Sequence, residues 1–498
     1  MIKSFYKNIP ILFLLEVIIK IKFILIIPFV TRIYGAAEYG KITQANALTS
    51  LFLPFLLIGT EDAFIRFYSS KSTAEKYLAL NYWFKFITTT YLVAVVFFLF
   101  FSNSISKYFF QNEITWCLVV LILLLSQLFF SMVRTWHRIN NDAKKITILY
   151  FASTLNCFFM IIIALITKIT ASYFILFNSL GDFAIGLFFY LLILRKRGEV
   201  TRIHDEKGRG ITKKLISYGI VVMPGSLAVW ALNIADRLIL TKYVSLSDIG
   251  IYSFSYSIGQ AALYLIFGPI WMLYPNNASK YIDEKNYSEL RSITQSSITL
   301  AMTFIIPTII FLYASRGEIT LLLSTASFLK GGMIFPFVSA GYCFCMLSSY
   351  HEVILCNFNQ QKQATIHILI SAFINITLNF IFIPYIGILG AALATTTAFG
   401  ILYMLNYYAS RKYLLFAYDT KYLFKTIIAS IILLPILNHI TIPNKYFYFL
   451  ICGPLFYTAY FAIIYWMAPE KRIFYTFASN KLFSYFRRYG PQKSSSLL

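Results

Sequence analysis

IYGAAEYGKI (Ile33 to Ile42) and KYVSLSDIGIYS (Lys242 to Ser253) are two versions of one phrase: a tyrosine (Tyr34, Tyr243), then an acid (Glu38, Asp248), then, two residues on, a glycine (Gly40, Gly250) that opens an apolar run. The first copy follows the first apolar run of the chain and the second follows the seventh, so they occupy equivalent places in two successive sets of six. Transporters are commonly built from such internal repeats, which predicts two homologous six-helix lobes here.

The runs themselves read as membrane spans. Of 498 residues, 59% are hydrophobic and 13% charged, and mean hydropathy is +0.70. A soluble domain carries about 25% charged residues, so bilayer rather than water is the solvent this composition suits. A helix needs about 20 apolar residues to cross about 30 Å of hydrocarbon. That length places spans near 9–30, 42–59, 86–102, 114–133, 146–166, 171–194, 215–240, 249–273, 293–314, 328–349, 364–385, 386–409, 421–440 and 446–468. In the pair 364–385 and 386–409 only Pro384, Tyr385 and Gly387 mark a turn. The expected fold is an all-α polytopic membrane protein of about 14 transmembrane helices: an N-terminal lobe over 1–194, a basic linker over 195–214, a C-terminal lobe over 215–409, two further helices within 410–468 and a tail over 469–498.

The net charge of +23 could suggest nucleic acid, but the basic residues lie in short segments between apolar runs and form no basic face on a soluble module. They report topology instead. One alternating set of loops and termini holds 32 of the 43 Lys and Arg, the other set holds 7, and the four left over, Lys20, Lys22, Arg237 and Lys330, lie in or at the edges of helices. The positive-inside rule then predicts that both termini are cytoplasmic, in a bacterial inner membrane. The apolar stretch behind Lys3 and Lys7 is interrupted by Glu16, Lys20 and Lys22 and lacks an A-x-A site, so it reads as a retained helix. The outward loops are about 13 residues or fewer, too short for a catalytic domain. The six cysteines mostly fall within apolar runs and no His stands at ligand spacing beside Cys343 and Cys345, so no metal is expected. No G-x-x-x-x-G-K-[ST] stretch is present, and no cofactor is expected.

Polar residues inside the spans mark candidate function. Thr43, Asn46, Ser50 and Pro54 recur along one face of the second helix, and Ser253, Tyr256, Ser257, Gln260 and Tyr264 along one face of the eighth. Such faces either glue helices together or line a shared polar cavity. A charge at mid-bilayer costs about 2.5–3.5 kcal/mol on insertion scales, which singles out Glu16 and Lys20 (i, i+4 in the first helix), Asp182 beside Asn178 in the sixth, and Asp236 with Arg237 in the seventh. Adjacent helical positions point about 100° apart, so Asp236 is expected to be a poor partner for Arg237, leaving the guanidinium, supported by Lys20, for an anionic ligand.

IYGAAEYGKITQANAL (Ile33 to Leu48), SYGIVVMPGSLAVWALNIADRLILTKYVSLSDIGIYSFSYSI (Ser217 to Ile258) and NFIFIPYIGILGAALAT (Asn379 to Thr395) resemble the Wzx-type O-antigen flippases. These form the polysaccharide-transporter branch of the multidrug/oligosaccharidyl-lipid/polysaccharide exporter superfamily, whose pattern is matched at Tyr218, Pro224, Trp230, Asp236, Arg237, Gly250 and Tyr252. The resemblance implies a transporter that carries an undecaprenyl-diphosphate-linked oligosaccharide outward by alternating access. It also implies membrane lipids around it, and a polymerase and glycosyltransferases in the same pathway. Two other classes compete. One is a sibling transporter, either a drug/cation antiporter or a peptidoglycan-precursor flippase; the other is a membrane-embedded glycan polymerase or ligase, which the short outward loops disfavour.

Overall fold

The computed structural model describes residues 2–195, 206–439 and 445–468, with side chains described for 26–195, 210–435, 437 and 445–468. Among the described residues the chain forms fifteen α-helices and one 3-10 turn, without a strand. In order these are α1 (Ile2–Leu57), α2 (Thr60–Tyr68), α3 (Thr73–Phe109), α4 (Thr115–Ile139), α5 (Ala143–Thr167), α6 (Ala171–Arg195), α7 (Glu206–Leu240), α8 (Leu246–Asp283), α9 (Tyr287–Ala314) and α10 (Arg316–Leu323). The 3-10 turn (Ala326–Met333) then leads into α11 (Ile334–Asn357), α12 (Gln361–Ser410), α13 (Thr420–Ile432), α14 (Leu434–His439) and α15 (Lys445–Met467). Residues 196–205 of the linker 195–214 and the whole tail 469–498 lie outside the described residues.

Ten of these helices are long and apolar enough to cross a membrane alone, or eleven when α2 is joined to α1 across a 47° bend. Two of the helices are too long to be single spans. At 1.5 Å per residue the 56 residues of α1 would reach about 84 Å and the 50 of α12 about 75 Å, more than twice the hydrocarbon thickness. Each is broken at one glycine in a backbone conformation that other residues adopt only under strain: Gly35 (φ 74°, ψ −175°) and Gly387 (φ 57°, ψ −134°). Dividing α1 and α12 at these points, and taking α13 with α14 as one span, yields the expected fourteen. The multi-pass, all-helical reading therefore holds, with the turn at Gly387 where Pro384, Tyr385 and Gly387 predict it.

Helix starts follow local chemistry. Ser72 caps α3 in a capping box with Glu75, Ser245 caps α8 through the Asp248 N–H, and Asp142, Asn286 and Asp419 cap α5, α9 and α13. Packing then gathers α1 with α4 and α5, α4 with α6, and, further along the chain, α8 with α9 and α11, and α12 with α7 and α11, while α13 and α15 lie on α9. Contacts between these groups run chiefly from α1 to α8 and α7, and from α2 and α3 to α7. Large apolar side chains such as Val96 and Phe100 on α3 face outward, as lipid contact requires.

Candidate functional site

The limb of α1 after Gly35 sits at the centre of the molecule, and glycines bring it against the second half at both of its ends. A Cβ on Gly40 would land on the Leu246 carbonyl and close to the Gly250 nitrogen, and a Cβ on Gly250 would land on the Ala36 carbonyl and close to the Gly40 nitrogen. Leu246 and Ala36 each stand four residues before their own glycine, so the contact is reciprocal, as a two-fold relation between the repeat phrases demands. The acids of the phrase are also used alike. Glu38 accepts from Lys41 at 2.7 Å, and Lys41, only 3% exposed, also pairs with Glu113 in the α3–α4 connection. Asp248 pairs with Lys330 at 2.9 Å, in the segment leading into α11. At the opposite end of the limb, a Cβ on Gly219 of α7 would strike the Ile58 carbonyl and one on Gly59 the Gly219 carbonyl. Arg66 of α2 donates to Tyr218 Oη at 3.3 Å and lies over its ring, and Lys214 lies 4.3 Å over Phe67.

Between these two seams lies the Arg237 cluster. The α7 helix presents Trp230, Asn233, Asp236 and Arg237 at helical spacing. Arg237 Nη1 donates to Asp236 Oδ1 at 2.8 Å and to the Asn233 carbonyl at 2.6 Å, and the guanidinium lies 4.2 Å over the Tyr256 ring. Asp236 also accepts from the Arg237 backbone N–H at 2.8 Å and from the Tyr252 hydroxyl. The expectation that Asp236 is a poor partner for Arg237 is thus overturned. The carboxylate folds forward onto the next backbone N–H, and the long arginine stem bends back toward Asn233, so two flexible side chains close the 100° that separates their Cβ directions. Arg237 is 8% exposed, and its charge is already matched by Asp236.

Tyr342 of α11 is the hub of the polar network around this pair. Its hydroxyl donates to Asn233 Oδ1 at 2.7 Å and accepts from Gln260 Nε2. The Tyr256 hydroxyl, 2.9 Å away, must then be a donor, which fills both lone pairs of Tyr342. From α1, Gln44 Nε2 donates to the Arg237 carbonyl at 2.7 Å and to Thr241 at 2.8 Å, and Ser50 accepts from Trp230 Nε1 at 3.1 Å. Four helices, α1, α7, α8 and α11, therefore converge through side chains that are mostly aromatic or amide.

Of the residues expected at the site, Arg237 and Asp236 meet directly, Gln260 joins them through Tyr342 and Asn233, Ser50 joins through Trp230, and Ser257 stands half-buried on α8. Asn46 is exposed. Asn178 and Asp182 belong to a cluster of their own, where Asn156 of α5 donates to the Asn178 carbonyl at 2.8 Å and to Asp182 Oδ1 at 3.1 Å. The side chains of Glu16 and Lys20 lie outside the described residues. Glu61 of α2 accepts from Arg134 at 2.8 Å and from Ser131 at 2.6 Å. Sequence reasoning missed Gln44, Tyr342 and the Lys41 pair. Gln44 is two residues from Asn46, about 200° around the helix and so off the polar stripe that was followed. Lys41 stands just before the expected span 42–59 and so reads from sequence as a loop residue.

Residues 29–331 match the family described as polysaccharide biosynthesis protein. The chain belongs to that family. This family member is 23% identical over 437 residues to an uncharacterized membrane protein of Methanocaldococcus jannaschii, covering 82% of this chain and 85% of that one. Its fold is that of the lipid II flippase MurJ in an inward closed conformation: TM-score 0.73, 17% identity, 92% of this chain and 99% of the other. It also shares the fold of an inward-facing multidrug resistance MATE family transporter of the MOP superfamily, with TM-score 0.58, 11% identity and coverage of 79% and 97%.

Proposed function

We propose that this protein is a flippase. It carries an undecaprenyl-diphosphate-linked oligosaccharide, the repeat unit of an O-antigen, capsule or exopolysaccharide, from the cytoplasmic to the outer face of a bacterial inner membrane by alternating access. The observation that carries the reading is the α1 limb after Gly35, which is sealed against the second half at both ends by glycine contacts with the polar Arg237 cluster between them. A carrier that exposes its site to one side at a time needs two such seals and must open them alternately. Family membership and the flippase fold support the same reading. In this scheme 1–194 and 215–409 are the moving lobes, 195–214 is their linker, both termini are cytoplasmic, and the polymerase and glycosyltransferases of the pathway are functional partners.

The site has the chemistry for a glycan, with tyrosine rings to lie against sugar faces and Asn, Gln and tyrosine hydroxyls to exchange hydrogen bonds with hydroxyls. In the closed state Asp236 occupies the guanidinium that a diphosphate would take, so substrate binding there is an exchange of partners on Arg237. Deletion of the gene should abolish surface polysaccharide while lipid-linked repeat units accumulate on the cytoplasmic face. Repeat units exposed on the outer face of the mutant would refute transport and favour the polymerase or ligase. A second reading, transport of lipid II, is favoured by the match to MurJ over nearly its whole length. It predicts arrest of wall growth on depletion in place of loss of surface polysaccharide.

A further inference from the structure

The end of the central limb at Gly40 is rimmed, on the second half, by the short helix α10 and the 3-10 turn that follows it. Tyr39 of α1 meets Phe328 of that turn edge-on, with ring centroids 6.2 Å apart. Ser324 stops α10 in an extended conformation and returns both its backbone N–H, at 2.8 Å, and its hydroxyl, at 2.7 Å, to the Thr320 carbonyl. The last four carbonyls of a helix have no partner inside it, so those of Leu321, Leu322 and Leu323 must be satisfied from elsewhere. The chain before Gly35 supplies the donors. Arg32 Nη2 donates to the Leu322 carbonyl at 2.6 Å and stands 3.4 Å from that of Leu321. Thr31 Oγ1 lies 3.2 Å from the Leu323 carbonyl, but its single proton is shared with its own Ile27 carbonyl at 2.9 Å. Arg32 is therefore the principal cap, placed by the first half of the chain on a helix of the second.

We propose that Arg32 is the latch of the outer gate, holding the Gly40–Gly250 seam shut by capping α10. A cation at the negative end of a helix is favourable, and its charge strengthens the hydrogen bonds it donates. The other end of α10 is anchored away from α1, where the buried Ser315 and Tyr448 hydroxyls, the latter on α15, lie 3.1 Å apart. Parting the halves at Gly40 undoes close packing of backbone on backbone, whereas parting Arg32 from α10 breaks charge-assisted hydrogen bonds. Arg32 is also exposed, so water can take over both the guanidinium and the carbonyls when they separate. Such a contact can be broken and remade in each cycle, as a latch requires. The inference rests on the flippase reading in taking this seam for a gate that opens.

The test is a distance measurement by pulsed electron spin resonance on the intact protein in nanodiscs, with the spin labels carried on p-acetylphenylalanine so that the native cysteines remain. One label pair replaces Lys107 and Lys242, exposed residues of the two halves beside the Gly40 seam, and another replaces the exposed Ser70 and Lys213 beside the Gly59–Gly219 seam. Gly40→Ala, which props the first seam apart, marks the separated distance of its pair. Arg32→Ala should raise the separated population of the Lys107 and Lys242 pair about tenfold over wild type, with the Ser70 and Lys213 pair unchanged. Arg32→Lys, which keeps the charge at the helix end without the planar fork, should fall between. A wild-type distribution for the Lys107 and Lys242 pair in Arg32→Ala overturns the latch, and so does equal broadening of both pairs, which would make Arg32 a general support of the fold. No export is measured, so failure here leaves the flippase reading standing.

Discussion

Arg237 and Asp236 form a neutral pair buried among tyrosines, and such a pair is far more sensitive to losing one member than to losing both. Arg237→Ala should destabilise the protein by about 3–5 kcal/mol, because Asp236 is left charged and unmatched. The double variant Asp236→Asn with Arg237→Gln should recover most of that stability in a detergent melting assay yet still fail to export polysaccharide. Full export by the double variant, at normal expression, would remove Arg237 from the transport site. Arg237→Lys should rescue export only in part, since an ammonium lacks the planar fork that grips a diphosphate. Tyr342→Phe tests the network instead: it strips a partner from Asn233, Gln260 and Tyr256 at once, and about 1–3 kcal/mol is expected for each buried group left unsatisfied. Unchanged melting of Tyr342→Phe would show that water reaches the hub.

At the scale of elements, the central limb of α1 has a glycine contact at each end, and the two should be separable. Gly40→Ala puts a methyl group against the Leu246 carbonyl and should prevent closure of the Gly40–Gly250 seam, while Gly219→Ala should do the same at Ile58. Cysteine labelling at Asn46, from the side that each seam guards, should rise in one variant and not in the other. Equal labelling in both would mean that the seams are static packing contacts. Gly35 differs from these, because nothing lies within 4 Å of its missing Cβ. Its substitution should cost about 1–3 kcal/mol through backbone strain alone, visible as lower melting with no change in labelling pattern.

At the scale of the whole molecule, the distribution of Lys and Arg predicts orientation. Reporter fusions after Arg195 and Lys471 should report cytoplasm, and those after Lys107 and Lys242 the outside. An outside signal after Arg195 would place an odd number of spans before the linker and dismantle the two-lobe scheme.

The apolar runs, the turn at Pro384 to Gly387 and the paired phrases around Gly40 and Gly250 were legible in the sequence because each is local. A span is a matter of length against the bilayer, a turn needs one permissive residue, and a repeat is a comparison of the chain with itself. Which charges neutralise which was not legible. Lys41 reaches Glu113 across 72 positions, Lys330 reaches Asp248 across 82, and Tyr342 meets Asn233 across 109. No periodicity encodes such separations. Even the neighbouring pair Asp236 and Arg237 was misjudged, because the direction of a Cβ is set by the helix, whereas the reach of a long side chain is set by what surrounds it. Sequence alone therefore determined the multi-pass helical fold. Only the packing of α1, α7, α8 and α11 decided that the buried arginine is held by its own neighbour, since that requires a low-dielectric enclosure built from four distant segments.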